Sequence, residues 1–514
     1  MAGAEKTIWP RVPAGFVKGQ LLAHKLLGLA LAAVMYLVCV TGAIAVFYAD
    51  FERWEQPGVP EMTQVSPEAV GRAVAYARQH IAQTGAQPSD VYVITPSPEM
   101  PRLVIDYEED VLAFDASGAY AGPGAHELTH FLTELHYALH LPWQIGFIVI
   151  GVLGVLLVAL IVGGALALPR MFRDAFTLRL DGGRRLSRVD IHNRLAVWGL
   201  PFHLLVAASG AVMGLALVAV GVAGPMMFGG DSARAMADLY GDPAAIAAQA
   251  RQAGPPPSML PEARIVTALE TLARERPDNP PLYMALNQFG TPDETLAIGA
   301  GHSDRLIYSE TYRFDSAGGL MGADGYAEGE AGRQVLASMF RIHAGAFGGP
   351  LVKFIYLALG LALSFICTTG VDIWLAKAAA RGRAHPRIQS TWTSFVWATP
   401  AMLALASTLY VLWAISPVPI FWGGVLLLSL AGVWTPQHLA HWLAPFATGL
   451  LTLSLPLAHA ARFGADAAAP SAVWVNAALV FAAALLIALG LRNQRRGAAA
   501  HTNAQGAPAS LAAS

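Results

Sequence analysis

Residues 21–47 read LLAHKLLGLALAAVMYLVCVTGAIAVF, a run of 27 in which Lys25 is the one charged side chain. Roughly 20 apolar residues in a helix cross a hydrocarbon core about 30 Å thick. This stretch is therefore read as a membrane span. Seven further apolar blocks follow, at about 144–168, 194–222, 350–376, 394–415, 418–435, 440–460 and 472–491. The sixth is the shortest, bounded closely by Pro417, Pro419 and Pro436. Composition agrees: 55% of the chain is hydrophobic and 13% charged, against about 25% charged in a soluble domain. The first block is too long for the apolar part of a signal peptide and lacks a small-residue cleavage site, so it is expected to stay as an anchor. A net charge of −2 points to no nucleic-acid partner. Cys39 and Cys367, both inside apolar blocks, are expected to be inert buried thiols that form no disulfide framework and no cysteine metal cluster.

Lysine and arginine cluster on the cytoplasmic side of membrane proteins. Lys6, Arg11, Lys18 and Lys25 precede or open the first block. Arg170, Arg173, Arg179, Arg184, Arg185 and Arg188 crowd the link between the second and third. Lys377, Arg381, Arg383 and Arg387 separate the fourth from the fifth, and Arg492, Arg495 and Arg496 follow the eighth. All four clusters share one side if every block crosses once. Both termini are then expected in the cytoplasm, and the long polar segments near 48–135 and 223–342 outside.

Those two segments repeat one order of elements. In the first, Ser66-Pro67-Glu68 opens a helix to about Thr84 through an N-cap serine and an N1 proline. Strand-like runs follow at Val91–Ile94, Leu103–Tyr107 and Val111–Asp115, ending in the turn Ala116-Ser117-Gly118. In the second, Leu260-Pro261-Glu262 opens a helix to about Arg274. Runs at Pro281–Leu286, Glu294–Ile298 and Ser309–Phe314 follow, closed by Asp315 to Gly319. This is a diverged internal repeat of a helix-then-strands unit. Gly254 to Pro257 reads as a linker ahead of the second unit.

The chemistry lies in the fifteen histidines. Each of the first four spans has one at or near an end. His24 and His192 fall at the cytoplasmic boundary; His136, His140 and His343 fall at the outer one. Neutral imidazole is the commonest side-chain ligand for iron, zinc and copper. Bis-histidine haem needs one ring above and one below the macrocycle, from facing helices. Two layers with a pair in each meet the requirement of a two-haem path across a membrane. His136 and His140, four apart, share a helix face, so only one of them need serve. His203 shares a face with His192, roughly 16 Å along the axis, and is an alternative ligand for a deeper haem. A single histidine at a membrane interface is as often a plain amphipathic anchor; an ionisable group within a span is more often functional. His438 and His441 read as a solvated turn. His80, His126, His130, His302, His385, His459 and His501 read as surface residues, with a weak metal site conceivable at His126, Glu127 and His130. There is no phosphate loop, dinucleotide fingerprint or serine elbow, so electrons entering from inside must come from a membrane quinol or a separate reductase.

Several short motifs resemble the PepSY-associated transmembrane proteins, an inner-membrane group that includes bacterial ferric-siderophore reductases. They are His24-Lys25-Leu26-Leu27-Gly28-Leu29 with Thr41-Gly42-Ala43, and Leu135-His136-Tyr137-Ala138-Leu139. Ile191-His192-Asn193-Arg194-Leu195 with Leu200-Pro201-Phe202, and Ile342-His343-Ala344-Gly345 with Thr369-Gly370-Val371, complete the set. The helix-then-strands units look like PepSY domains, and the resemblance covers about residues 20–380. The apolar blocks give an all-α polytopic membrane protein of about eight transmembrane helices. The resemblance implies a four-helix haem-binding core within it and two small α+β PepSY-like periplasmic domains. The last four helices, from about 394 onward, depart from the shortest members of the family.

The corresponding division is 1–47 for the N-terminus and first span, then 48–135 for the first outer domain. Spans two and three occupy 136–222, the second outer domain 223–342, and span four 343–380. Four additional spans fill 381–496, and 497–514 is a disordered tail. The resemblance further implies two b-type haems held by His24, His136, His192 and His343, with His203 and His140 ranked below them. The implied activity is an oxidoreductase of the bacterial inner membrane that passes electrons outward to a ferric siderophore or other ferric chelate. Arg102, Arg305 and Arg313 are candidate contacts for an anionic chelate. Two rivals stand beside it: a non-enzymatic PepSY membrane protein that binds peptides or regulates a partner, and a siderophore or metal transporter, for which Asp372 is the nearest intramembrane acid.

Overall fold

The computed structural model describes residues 13–107, 110–168, 184–227, 229, 231 and 261–505. Lys6, Arg11, Arg170, Arg173, Arg179 and the Gly254–Pro257 linker lie outside them. Six helices are long and apolar enough to cross a membrane: α1 (Ala14–Ala45), α5 (Trp143–Leu166), α10 (Gly349–Ala379), α11 (Pro386–Trp413), α13 (Gln437–Phe463) and α14 (Pro470–Gln505). A seventh candidate is a broken one. α6 (Arg184–Trp198) and α7 (Leu200–Met227) meet at a bend of 67°. The cause is local: Gly199 interrupts the helix, and Pro201 sits in the first turn of the next, where its missing N–H costs nothing.

The sixth apolar block forms α12 (Pro417–Ala431), 15 residues and so roughly 22 Å long. It is shorter than a full span, yet with the turn after it the chain returns along α11. Gly424 packs on Met402 and Gly432 on Ser394, so α12 runs antiparallel to α11. Gln437 Nε2 then donates to Gln389 Oε1 at 3.0 Å, beside the start of α11. Asn493 Nδ2 donates to the His441 carbonyl at 2.9 Å, placing the end of α14 beside the start of α13. The prolines shorten the helix without changing the side on which the chain emerges. The last helix continues past Gly497, into the stretch expected to be a disordered tail, as far as Gln505.

The two helix-then-strands units share a single sheet. Its eight antiparallel strands run in the order β4-β3-β2-β1-β5-β6-β7-β8. The first unit supplies α3 (Pro67–Thr84), β1 (Asp90–Ile94), β2 (Leu103–Tyr107), β3 (Asp110–Phe114) and β4 (Tyr120–Pro123). The second supplies α8 (Pro261–Glu275), β5 (Pro281–Asn287), β6 (Thr295–Ala300), β7 (Glu310–Phe314) and β8 (Leu320–Ala323). β1 joins β5 in register Tyr92↔Ala285. One core then covers both units, from Val74 and Ile105 to Leu272 and Ile298. The repeat extends to detail. Ser66 Oγ caps α3 by accepting from the Ala69 N–H. Asp115 Oδ1 accepts from the N–H of Ser117 and Ala119, and Asp315 Oδ1 from that of Ala317 and Gly319. Each turn then needs a left-handed glycine, Gly118 (φ 80°) or Gly318 (φ 83°), a conformation that glycine adopts without a Cβ penalty.

Three short helices join sheet to spans: α2 (Tyr48–Glu55), α4 (Glu127–Tyr137) and α9 (Ala331–Ala344). Two of them, α4 and α9, carry His136 and His343 over the bundle.

Candidate functional site: two tiers of histidines

His136 and His343 stand on α4 and α9, outside the candidate spans, and not at the tops of the second and fourth spans themselves. The short helices aim them inward. Their rings face each other with centroids 6.1 Å apart and planes inclined by 33°. Each ring is fixed through Nδ1. His136 Nδ1 bonds the Val38 carbonyl of α1 at 3.0 Å, and His343 Nδ1 bonds Ser209 Oγ of α7 at 2.9 Å. A carbonyl only accepts, so Nδ1 of His136 carries its proton and Nε2 is left with a lone pair. Nε2 of neither ring makes a hydrogen bond among the described residues. Burial pushes both imidazoles below their ordinary pKa, His343 to about 4 with the His136 ring adding to the effect. Neutral rings are what a metal requires of imidazole.

The floor beneath each ring is a glycine. A Cβ on Gly42 would collide with Cε1 of His136, and one on Gly210 would lie 3.0 Å from Cε1 of His343. The second tier follows the same plan. His24 Nδ1 bonds the Leu160 carbonyl of α5 at 3.0 Å, and a Cβ on Gly164 would sit 3.0 Å from its Cε1. His192 Nδ1 bonds Thr369 Oγ1 of α10 at 3.0 Å, with Gly370 beside it. The Thr-Gly pairs at 41–42 and 369–370 thus have a physical role, since Gly42 makes room for one ring and Thr369 bonds another.

The centroid separation of His136 and His343 is that of two imidazoles that would share one metal ion. Metal–nitrogen bonds of about 2 Å on either side, plus the ring half-widths, place the two centroids roughly 6 Å apart. His136 and His343 meet that separation. Gly42 and Gly210 keep the rings' edges free of side chains, and the anchored Nδ1 atoms fix the tautomer and orientation, as partners of metal-ligating histidines do.

His203 and His140 join neither tier. His203 is buried, and its Nε2 lies 3.3 Å from the Leu359 carbonyl of α10; it ties the bend at Gly199 to the fourth span. His140 has both nitrogens engaged, Nε2 with the Phe131 carbonyl at 2.8 Å and Nδ1 accepting from Trp422 Nε1 at 3.0 Å. Leu139 and His140 both have positive φ, 55° and 54°. Those two ring bonds hold the sharp turn between α4 and α5 and pin α12 to it. No group of three or more metal-ligating side chains occurs among the described residues. His126 faces Glu52 and His130 faces Glu134, so they assemble no cation site with Glu127.

The arginines differ from expectation as well. Arg102 is buried and donates to the carbonyls of Arg53 and Gln56, its pKa lowered to about 10 by burial. Arg313 is held by Asp324 at 2.8 Å. Of the three, Arg305 keeps an exposed side chain, next to Asp304. Asp372 pairs with Arg188 across α6 and α10 at 4.0 Å.

His459, expected at the surface, is fully buried. Its Nε2 donates to the Trp54 carbonyl at 2.8 Å, and its ring stacks on Trp54 at 4.2 Å. Trp54 Nε1 in turn donates to Asn476 Oδ1 of α14 at 2.9 Å. The next residue, Glu55, accepts from the Leu128 and Thr129 N–H groups and from the Thr129 hydroxyl. It therefore caps the helix that carries His136. The C-terminal helices clamp α2, and α2 positions α4. The apolar run Leu455-Pro456-Leu457-Ala458 before His459 was the available signal, because an ionisable group inside such a run is rarely idle.

Burial raises the Glu55 carboxyl to about 7, with its three donors offsetting part of the shift. The folded pKa lies above the ordinary 4.5. This contribution to stability is therefore full below about 4.5 and lost as pH rises through about 7. Thermal unfolding of the purified protein between pH 5.5 and 8.5 is expected to show that loss. Glu55→Gln, which cannot ionise, is expected to flatten it; equal pH slopes for both proteins would count against the assignment.

The model of the PepSY-associated TM region matches residues 21–377. That interval holds all four tier histidines, all eight strands and the first four spans, and stops short of α11. An uncharacterized protein of Pseudomonas aeruginosa is 27% identical over 383 residues, covering 69% of this chain and 92% of that protein. The match extends over most of the chain, and on that ground this multi-pass protein belongs to the PepSY-associated transmembrane family.

Proposed function

We propose that the chain is an inner-membrane b-type haem protein that carries electrons outward and reduces ferric iron, held in a siderophore or similar chelate, on the side of the sheet. The observation that carries this reading is the pair His136 and His343, 6.1 Å between ring centroids, with Nδ1 of each anchored. Haem bound at each tier would supply a one-electron couple at a potential tuned by axial ligand and burial.

The chain's own contributions are positional. Val38 and Leu160 carbonyls fix His136 and His24 as Nδ1–H tautomers; Ser209 and Thr369 hydroxyls orient His343 and His192. The apolar walls of α1, α5, α7 and α10 exclude water between tiers. Gly42 stands 18 residues beyond His24 in α1, roughly 27 Å along the helix, so the tiers occupy the two membrane faces. One-electron reduction releases the metal because ferrous iron is a softer acid and binds hard oxygen ligands poorly. The electron donor on the inner side is a membrane quinol or a separate reductase, and the last four helices serve the positioning chain through Trp54 and Glu55.

The test is made in sealed vesicles with reductant inside and a ferric hydroxamate plus a ferrous-specific chromophore outside. Colour is expected only with the protein in the membrane, and His192→Ala is expected to abolish it. Protein-independent colour, or an unchanged rate in that variant, would refute the proposal and favour a non-redox role for the sheet.

A further inference from the structure

A cleft of about 790 Å³ lies between α1, α10, α11 and α12, on the inner half of the bundle. Leu29, Ala33, Val371, Trp374, Trp392 and Phe395 form most of its walls. It opens to the surface at Ala33 and Ile388, the latter 48% exposed. Its lining comes from three candidate spans and from the short apolar helix α12 with the turn after it, so an occupant reaches it from lipid. Three polar side chains interrupt the apolar surface: Arg387, Thr391 and Ser429. Neither Arg387 nor the Thr391 hydroxyl has a hydrogen-bond or ion-pair partner among the described residues. Trp374 is further backed by His385, stacked on it at 5.6 Å and 3°. The volume falls in the range of small-molecule sites, roughly 300–1,000 Å³, and the few convergent polar groups in an apolar cleft are their usual composition.

The cleft adjoins the inner tier. Val371 follows Gly370, whose Cβ position lies 3.7 Å from the His192 ring. Leu29 is five residues, roughly 8 Å of helix, beyond His24. Electrons entering this tier need a donor soluble in the hydrocarbon phase.

We infer that this cleft is the binding site of an isoprenoid quinol, with the ring between Trp374 and Trp392 and its hydroxyls toward Thr391, Ser429 and Arg387. The inference rests on the electron-transfer reading above and names its donor. One quinol loses two electrons and two protons and becomes the quinone. With haem held by His24 and His192, these electrons would leave one at a time through that tier and reduce two ferric ions to ferrous outside. The protons leave on the basic side, where Arg387 and His385 mark the mouth of the cleft. The site also gives the added spans a second role, since α11 and α12 build half of its wall.

The test uses the full-length protein in phosphatidylethanolamine and phosphatidylglycerol nanodiscs, photolabelled with an azido-quinone and mapped by mass spectrometry. Label is expected on peptides spanning residues 29–33, 387–395 and 429–433, and is expected to fall at least tenfold with excess decylubiquinol. Ala33→Phe, which fills the cleft, is expected to cause a similar loss while haem absorbance stays unchanged. Label spread over lipid-facing helices, or insensitive to competitor, overturns the site even if the variant fails to fold. Haem absorbance read on the same sample separates the two ideas. Full absorbance without specific label removes the quinol site alone. Specific label without absorbance keeps the site and removes the redox centre.

Discussion

His343→Ala is expected to lower the haem content of the purified protein by about half, with the remaining haem retaining bis-histidine character. His343 is one of two rings that meet across the outer tier. Truncation leaves His136 with no opposing nitrogen, because no third histidine among the described residues reaches that space. His140 is engaged at both nitrogens, and His203 lies against Leu359. His24→Ala is expected to remove the other half and spare the outer tier. His203→Ala is expected to keep the full complement, which separates the two placements available to that residue from sequence. The measurement is the Soret absorbance per mole of protein together with the low-temperature electron paramagnetic resonance of the oxidised form. Loss of both haems from a folded His343→Ala protein would contradict independent tiers, and loss of none would remove His343 as a ligand.

Gly42→Val is expected to be as damaging to the outer tier as removal of His136. A Cβ at residue 42 has no room, since Cε1 of His136 already occupies that volume. The ring cannot retreat without breaking its 3.0 Å bond to the Val38 carbonyl. Small-to-large changes in well-packed interiors typically cost about 1–3 kcal/mol. Here the cheaper relaxation is rotation of the imidazole away from its axial direction. Outer-tier haem should therefore be lost while the inner tier and the sheet persist. Gly19→Val is the control, because a Cβ there meets nothing within 4 Å. Equal haem content in Gly42→Val and the native protein would show that the ring is not held where it stands. These expectations concern coordination alone and hold whatever the chelate outside.

Much of the fold can be read directly from the chain, and the reasons are local. Apolar runs of span length, Ser66 before Pro67, and the Asp-x-x-Gly turns at 115–118 and 315–318 each have one good structural solution. What escapes such a reading is non-local. The joining of the two units through β1 and β5 depends on a pairing between residues nearly two hundred apart, which no window along the chain contains. β4 and β8 are four residues each, glycine-containing and largely exposed, and give no alternating pattern. The sixth block's short helix is foreshadowed by its prolines, but its antiparallel course along α11 is visible only in the Met402 and Ser394 contacts.

The site divides in the same way. The four histidines stand out in the sequence by their nearness to apolar blocks and by the family motifs, but the short helices α4 and α9 that carry His136 and His343 are not separable there from the spans that follow. Their anchors are not, because Val38, Leu160, Ser209 and Thr369 are ordinary residues whose part emerges only when another helix lays an imidazole against them. His459 stands far along the chain from the other histidines, and its apolar flank is the sole local sign of its burial. Arg102 and Arg313 look like free cations in the sequence, whereas the sheet and α2 already use their charge.

The most direct test of the central claim is haem quantification on the intact purified protein, by pyridine haemochrome per chain with the reduced-minus-oxidised spectrum. Two b-type haems per polypeptide is the predicted result. A folded protein, reconstituted with excess haem, that shows no Soret band would contradict it.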